Sequence, residues 1–211
     1  MNALDPNRWD ALWRRHLPSG SPTAIFWQLQ ALYDEPIRRY HNGQHIADCL
    51  REFDCPSVKP ADPGALEFAI WFHDAIYDSR ANDNEERSAA LASACITDAG
   101  GSPDLAGCVH GLVLATKTHD SNCAADATWM IDIDLSIFGR SDVEFDAYES
   151  AIRAEYAWVA EPAFREGRGR IVEAFLARPQ IFVTTPFRSK YEIVARANLL
   201  RSIEKLKLPL P

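Results

Sequence analysis

Imidazole and carboxylate groups interrupt three apolar stretches of this 211-residue sequence. His45 lies in "GQHIADCL", His73 and Asp74 lie inside "FAIWFHDAIY", and Asp132 and Asp134 lie inside "MIDIDLSIF". Burying an unpaired carboxylate is costly, so such groups need a partner. One divalent cation would compensate all of them, and a mixed nitrogen and oxygen set suits Mn, Fe, Co, Ni or Zn better than Mg. The pattern therefore predicts a divalent metal site with coordination positions left for water.

The composition is that of a soluble globular protein, and its charge argues against a nucleic-acid partner. Apolar residues make up 47% of the chain and charged residues 25%, which is ordinary for such a domain. The formal net charge of −8 would repel a phosphate backbone, so we expect no long nucleic acid as a partner. No apolar run approaches the roughly 20 residues that cross a bilayer, and a signal-peptide pattern is absent. We expect a cytoplasmic protein that does not bind membranes.

The cysteines do not follow a disulfide or zinc-knuckle pattern. There are five of them, irregularly spaced and without a C-x-x-C pair, which argues against both kinds of site. Cys49, Cys95 and Cys108 fall inside helical patterns, and free cysteine is usually buried. We expect these three to be small core residues.

Apolar residues recur with helical spacing along almost the whole chain. The exception is "QIFVTT" (180–185), a short β-prone run. Loops are predicted at 55–62, which contains two prolines, and at the polar segment 118–126. The sequence predicts a single all-α domain over residues 1–211, with helices at 6–17, 21–33, 43–53, 63–77, 84–99, 103–117, 127–138, 142–159, 162–178 and 187–206.

The order of these groups resembles the HD-domain superfamily of metal-dependent phosphohydrolases, in an uncharacterised bacterial branch. The similar segments are "RRYHNGQHI", "FAIWFHDAIYD", "DNEERSA", "DIDLSIFG", "YESAIRAEYAWV" and "RPQIFVTTPFRSKYEIVARANLL", spread over about 40–206. The resemblance implies a helical bundle with a metal-binding core at about 40–140 and the helices of 141–206 packed on it. It also implies that the metal ligands are His45, His73, Asp74 and either Asp132 or Asp134.

Asp134 is the preferred last ligand, because that ligand in the superfamily tends to precede a leucine, as in "IDLS". Asp132 and Asp134 lie about 200° apart on a helix, so we do not expect both to bind one ion. Asp132 would then lie beside the ligands and support them; the alternative is a purely structural role, on a solvated face or in a salt bridge.

Two further histidines and one glutamate have open roles. His41 would share a helix face with His45, but Asn42-Gly43 resembles a helix start, which would leave His41 outside the helix. His119, in a polar loop, could hydrogen-bond a substrate phosphate or bind a second metal. Glu85 could belong to a capping box at the start of the helix 84–99, or act on the metal-activated water as a general base.

These features predict a metal-dependent phosphohydrolase that acts on a small phosphorylated metabolite or nucleotide. Glu85 and His119 are the candidate catalytic groups, and Arg38, Lys117 and Arg188 are the candidate phosphate-binding cations. One alternative is an HD-type di-iron oxygenase that would use His41 and His119 as extra ligands. Another is a non-catalytic metal-binding or nucleotide-binding domain. The sequence predicts neither the substrate, the metal nor the oligomeric state.

Overall fold

Short polar side chains set the starts of the helices. The computed structural model describes residues 3–55, 60–120 and 125–208. The side chains of Asp5, Ser21 and Asp62 each accept a hydrogen bond from a first-turn backbone amide, and a proline follows each cap. First-turn amides have no helical partner, so the missing N–H of proline costs nothing there. Asn42 caps the third helix in the same way, without a proline.

The chain is all-helical in these ranges, as the sequence predicts. Its elements are α1 Pro6–His16, α2 Pro22–Tyr33, α3 Gly43–Asp54, α4 Pro63–Phe72, α5 Asn84–Asp98, α6 Pro103–Thr118, α7 Ala125–Asp134, a 3₁₀ helix Leu135–Gly139, α8 Asp142–Glu155, α9 Glu161–Leu176 and α10 Thr185–Lys207. None of the described helices combines the length and the apolar character that a bilayer crossing needs.

Helix α4 ends at Phe72, five residues before the end that the sequence predicts. The guanidinium of Arg38 donates hydrogen bonds to the backbone carbonyls of Asp74 (2.5 Å) and Ala75 (2.9 Å). A side chain from another segment thus holds these carbonyls in a turn, and the helical ladder stops. His73 and Asp74 therefore lie at the end of an apolar helix and not in its middle.

The β-prone run 180–185 forms no strand. The backbone amides of Ile181 and Phe182 donate to the carboxylate of Glu192 at 3.0 Å each, so a side chain satisfies the donors that a strand would pair with a neighbour. Two more predicted helices also end early, because 135–139 is a 3₁₀ helix and α8 stops at Glu155. Residues 56–59 and 121–124 of the predicted loops lie outside the described residues.

The contacts divide the chain into two units, of which the first is Met1–Asp134. Its core is α4, which is buried along nearly its whole length, as expected for a helix that is apolar all round. The ring of Trp9, on α1, packs 5.2 to 5.9 Å from three rings of α4, those of Phe68, Trp71 and Phe72. The turn that carries His73 and Asp74 therefore directly follows the buried core helix of this unit.

The second unit, Leu135–Pro211, joins the 3₁₀ helix to α10. Asn198 on α10 donates from Nδ2 to the carbonyls of Phe138 (2.8 Å) and Arg140 (2.9 Å). A Cβ at Gly139 would lie 2.4 Å from the Cβ of Tyr191, so only glycine fits at this crossing. The prediction of one domain, with 141–206 packed on a metal-binding core, stays a prediction.

Candidate metal centre

The cap of α3 places the first candidate ligand, His45. Asn42 Oδ1 accepts hydrogen bonds from the backbone amides of Gln44 (2.9 Å) and His45 (3.4 Å). His45 is therefore in the first turn of the helix, with its side chain 3% exposed. His41 precedes the cap, so it does not share the helical face of His45. The structure therefore places His41 outside the helix, which is one of the two predicted alternatives.

The turn after α4 orients the second imidazole, that of His73. Its Nδ1 lies 3.0 Å from the carbonyl oxygen of Ile70. A carbonyl only accepts, so Nδ1 carries a proton and Nε2 is the atom available to a metal. That Nε2 lies 3.1 Å from Nε2 of His45. Two nitrogen lone pairs this close repel each other unless a proton or a metal ion lies between them.

Two carboxylates complete what we call the His/Asp cluster, namely His45, His73, Asp74 and Asp134. Asp74 Oδ2 lies 3.4 Å from His45 Nε2 and 3.3 Å from His73 Nε2. Asp134 Oδ1 lies 3.2 Å and 3.7 Å from the same two nitrogens. Neither Asp74 nor the fully buried Asp132 is in the group of potential metal ligands whose donor atoms all lie within 4.8 Å of one another. The structure thus brings His45, His73, Asp74 and Asp134 together, and their roles as metal ligands stay predictions.

The spacing of these atoms suits one transition-metal ion. Ligand atoms at about 2.1 Å from a metal and at right angles to each other lie about 3.0 Å apart, and tetrahedral ligands lie slightly farther apart. The nitrogen–nitrogen and nitrogen–oxygen distances of 3.1 to 3.7 Å match a shell that is slightly expanded. Imidazole with carboxylate is also a usual donor set for Zn, Fe, Co, Ni or Mn. The cluster can therefore hold a metal ion.

The charges of the cluster also favour a bound cation. Burial raises the pKa of Asp74, but the charges of His73 and His41 lower it by more, so the pKa of Asp74 is below its usual range. Burial likewise opposes the ionisation of Asp134, yet hydrogen bonds from His119, His45 and His73 bring its pKa well below normal. Both carboxylates are ionised at neutral pH. Two buried anions side by side require positive charge between them.

Without a metal, that positive charge is a proton on His73. Burial lowers the pKa of this imidazole, but the charge of Asp74 and a hydrogen bond to Asp134 outweigh it and raise the pKa well above the usual value. A metal ion must therefore displace a proton when it binds.

Cys49 adds a sulfur donor that the sequence does not predict as part of the site. It lies one helical turn after His45, and its Sγ is 3.8 Å from both ring nitrogens of that residue. Donor atoms of Cys49, His45, His73 and Asp134 all lie within 4.8 Å of one another. Burial, and then the charges of Asp134 and Asp74, raise the thiol pKa well above normal, so without a metal Cys49 is a neutral thiol.

The i, i+4 spacing of His45 and Cys49 on α3 is the sequence signal that could have placed Cys49 at the site. The structure confirms that Cys49 is buried. Cys95 is half-buried. The core prediction for Cys108 is wrong, since this residue is exposed.

The remaining histidines flank the two carboxylates. His119 Nε2 lies 2.8 Å from Asp134 Oδ2. The other oxygen, Oδ1, is the one that approaches the imidazole pair. The ring of His41 stacks on that of Tyr77, with centroids 4.2 Å apart, and its charge acts on Asp74. His119 is thus hydrogen-bonded to one carboxylate of the cluster, and His41 acts on the other through its charge.

Two of the predicted phosphate-binding cations have structural partners instead. Arg38 is 1% exposed in its side chain and bonds the carbonyls of Asp74 and Ala75 as well as Glu35. It thus holds the turn after α4, and the substrate-binding role of Arg38 stays a prediction. Lys117 donates to the carbonyl of Asn82 (2.7 Å) and to the carboxylate of Glu86, so it ties α6 to the start of α5.

The other predicted residues lie elsewhere in the fold. Arg188 belongs to the second unit, where its guanidinium donates to Gln180 at 2.6 Å. Glu85 is in the first turn of α5, and within the described ranges the structure records only a charge interaction with Lys117 for it. No capping box forms there, because the N-cap is Asp83 and its side chain makes no capping hydrogen bond. The catalytic role of Glu85 and the phosphate role of Arg188 stay predictions.

Comparisons with protein-family models, with curated proteins and with solved structures gave no match for this chain. What the chain shows of its function therefore comes from its own site. A buried group of histidine, cysteine and aspartate side chains in the first unit could hold a metal ion.

Proposed function

We propose that this chain is an HD-type, metal-dependent hydrolase of phosphate esters, acting on a small phosphorylated metabolite or nucleotide. One observation carries the proposal: the imidazoles of His45 and His73 and the carboxylates of Asp74 and Asp134 meet within 3.1 to 3.7 Å. These residues come from three separate segments of the chain, so their meeting is a property of the fold and not of local sequence.

The exposure of the ligands favours a catalytic ion over a purely structural one. The side chains of His45 and His73 are 3% and 1% exposed, whereas those of Asp74 and Asp134 are 17% and 16% exposed. The imidazoles are thus buried, whereas the carboxylates are partly exposed. Structural metal sites are closed, while catalytic sites keep a position for water or substrate.

Three of the four residues of the cluster are held by groups outside it. The carbonyl of Ile70 fixes the ring of His73, Arg38 holds the backbone of Asp74, and His119 bonds Asp134. Such support keeps ligands in productive geometry before substrate arrives. When bound, a divalent cation would act as a Lewis acid on the phosphoryl group and lower the pKa of water.

With Arg38 and Lys117 bonded to other groups and His119 bonded to Asp134, His41 becomes the candidate donor to a phosphate at the partly exposed carboxylates. The charge of His41 acts on Asp74, and its ring is half-buried. Imidazoles near an anionic substrate can donate hydrogen bonds and stabilise developing charge.

Metal analysis of the purified protein and a phosphoester panel test the proposal. Native protein loaded with Mn²⁺, Co²⁺, Ni²⁺ or Mg²⁺ is assayed on phosphomonoesters, phosphodiesters and nucleotides. We expect cleavage with at least one ion, and a loss of about 100-fold or more in kcat/KM in Asp134→Asn, which keeps the side-chain shape. His110→Asn is the matched control, because this half-buried histidine contacts Ser93 and not the cluster.

Two results would overturn the hydrolase assignment. One is a native protein that binds one ion per chain and cleaves none of the panel. The other is cleavage that persists unchanged in Asp134→Asn.

A further inference from the structure

We propose that His119 is a positioning residue that turns one oxygen of Asp134 toward the metal, an inference that rests on the proposed metal site. The sequence suggests two other roles for His119, a contact to substrate phosphate and the ligation of a second metal. The geometry points instead to the carboxylate of a ligand as its partner.

The hydrogen bond divides the two oxygens of Asp134. Oδ2 lies 2.8 Å from His119 Nε2, while Oδ1 lies 3.2 Å from His45 Nε2. An ionised carboxylate only accepts, so His119 Nε2 carries the proton and donates it. Asp134 is consequently held as a ligand that offers one oxygen to the metal, because the other is occupied.

This same bond argues against direct ligation by His119. A ring nitrogen that carries a proton has no lone pair for a metal. The atom of His119 that reaches the cluster is Nε2, and it is the protonated one. His119 therefore acts on the metal through Asp134.

The backbone of His119 supports a requirement for this side chain. His119 ends α6 in the left-handed conformation, with φ 48° and ψ 39°, and it alone among the non-glycine residues of the described ranges has a positive φ. Its amide still donates to the carbonyl of Ala115 at 3.1 Å. Glycine or asparagine is the usual residue at such a helix end. A histidine kept there in spite of the unfavourable conformation indicates a use for its ring.

Three variants separate positioning from a merely structural role. His119→Asn keeps a residue that tolerates the left-handed conformation, but its side chain is too short to reach Asp134. His119→Gln has an Nε2 donor with nearly the reach of the imidazole. His110→Asn is the matched control, on the same helix but bonded to Ser93.

The readouts are the Kd for Co²⁺, the visible spectrum of the Co²⁺ protein, and the urea midpoint of the metal-free protein. We expect His119→Asn to bind Co²⁺ about 10- to 100-fold more weakly, as is usual when the partner of a metal ligand is removed, and with an altered spectrum. His119→Gln should recover most of the affinity and the native spectrum. His110→Asn should match the native protein in both.

The outcomes separate this inference from the hydrolase assignment. The positioning role would be overturned if His119→Asn kept the native affinity for Co²⁺ and the native spectrum. It would also be overturned if His119→Asn and His119→Gln bound Co²⁺ equally weakly, in proportion to a lowered urea midpoint. A native protein that binds no Co²⁺ would overturn the metal site and this inference together. A native protein that binds Co²⁺ but hydrolyses no phosphoester would overturn the hydrolase assignment alone.

Discussion

Replacing Arg38 with methionine should destabilise the first unit and loosen the metal site together. Methionine keeps the apolar length of the side chain but removes every donor. The carbonyls of Asp74 and Ala75 then lose their partner in a place where the arginine side chain is only 1% exposed. The ring contacts of the guanidinium with Tyr33 (5.4 Å) and Tyr77 (5.7 Å) are lost as well.

The magnitude follows from the two carbonyls. Leaving a buried acceptor unpaired costs about 1–3 kcal/mol, so two of them cost about 2–6 kcal/mol. A protein of this size loses about 2–4 °C in Tm for each kcal/mol, which predicts a drop of about 4–24 °C. Because Asp74 also loses its anchor, the affinity for Co²⁺ should fall in the same variant.

Urea unfolding and calorimetry of the metal-free protein measure the first effect, and a Co²⁺ titration measures the second. Arg14→Met is the matched control, since Arg14 is 75% exposed and, among the residues that the structure describes, pairs with Asp10 on its own helix. Exposed pairs of this kind contribute about 0–1 kcal/mol. If Arg38→Met unfolds within about 1 kcal/mol of native protein, the role that we assign to Arg38 at the turn after α4 is refuted.

Two further predictions concern pH and packing. The raised pKa of His73 stabilises the metal-free protein below the normal histidine pKa of about 6.5, and this stabilisation is lost as pH rises through the higher folded value. The lowered pKa values of Asp74 and Asp134 stabilise the protein above about pH 4, and this stabilisation is lost as pH falls. The cluster should thus contribute most to the free energy of unfolding of the metal-free protein between about pH 4 and 6.5. The binding of Co²⁺ should release a proton and become tighter as pH rises. An equal binding enthalpy in buffers of different ionisation enthalpy would contradict the proton release. Gly139→Ala should destabilise by about 1–3 kcal/mol, because its Cβ would overlap Tyr191; an unchanged urea midpoint would show that α10 can move away.

The ligands could be predicted because their signal is local. A carboxylate or imidazole inside an apolar run needs compensation wherever the run packs, so His73, Asp74 and Asp134 stand out in the sequence itself. Cap residues gave most helix starts for the same reason, since the side chain and the amide that it bonds are two or three residues apart.

The errors come from partners that are distant in sequence. Helix α4 ends early because of Arg38, which lies 36 residues before Asp74. Lys117 is a candidate phosphate-binding cation because it lies near the motif segments, and the packing of α5 on α6 supplies Glu86 as its partner. The run 180–185 reads as a strand by composition, and the carboxylate of Glu192 on α10 satisfies its amides instead. No local pattern announces such contacts.

X-ray absorption on the Co²⁺-loaded protein tests the central claim most directly. The account predicts one ion per chain with nitrogen and oxygen ligands at about 2.0–2.2 Å and the outer scattering of two imidazoles, from His45 and His73. Fewer than two imidazoles, or no stoichiometric binding of Co²⁺ at neutral pH, would contradict it.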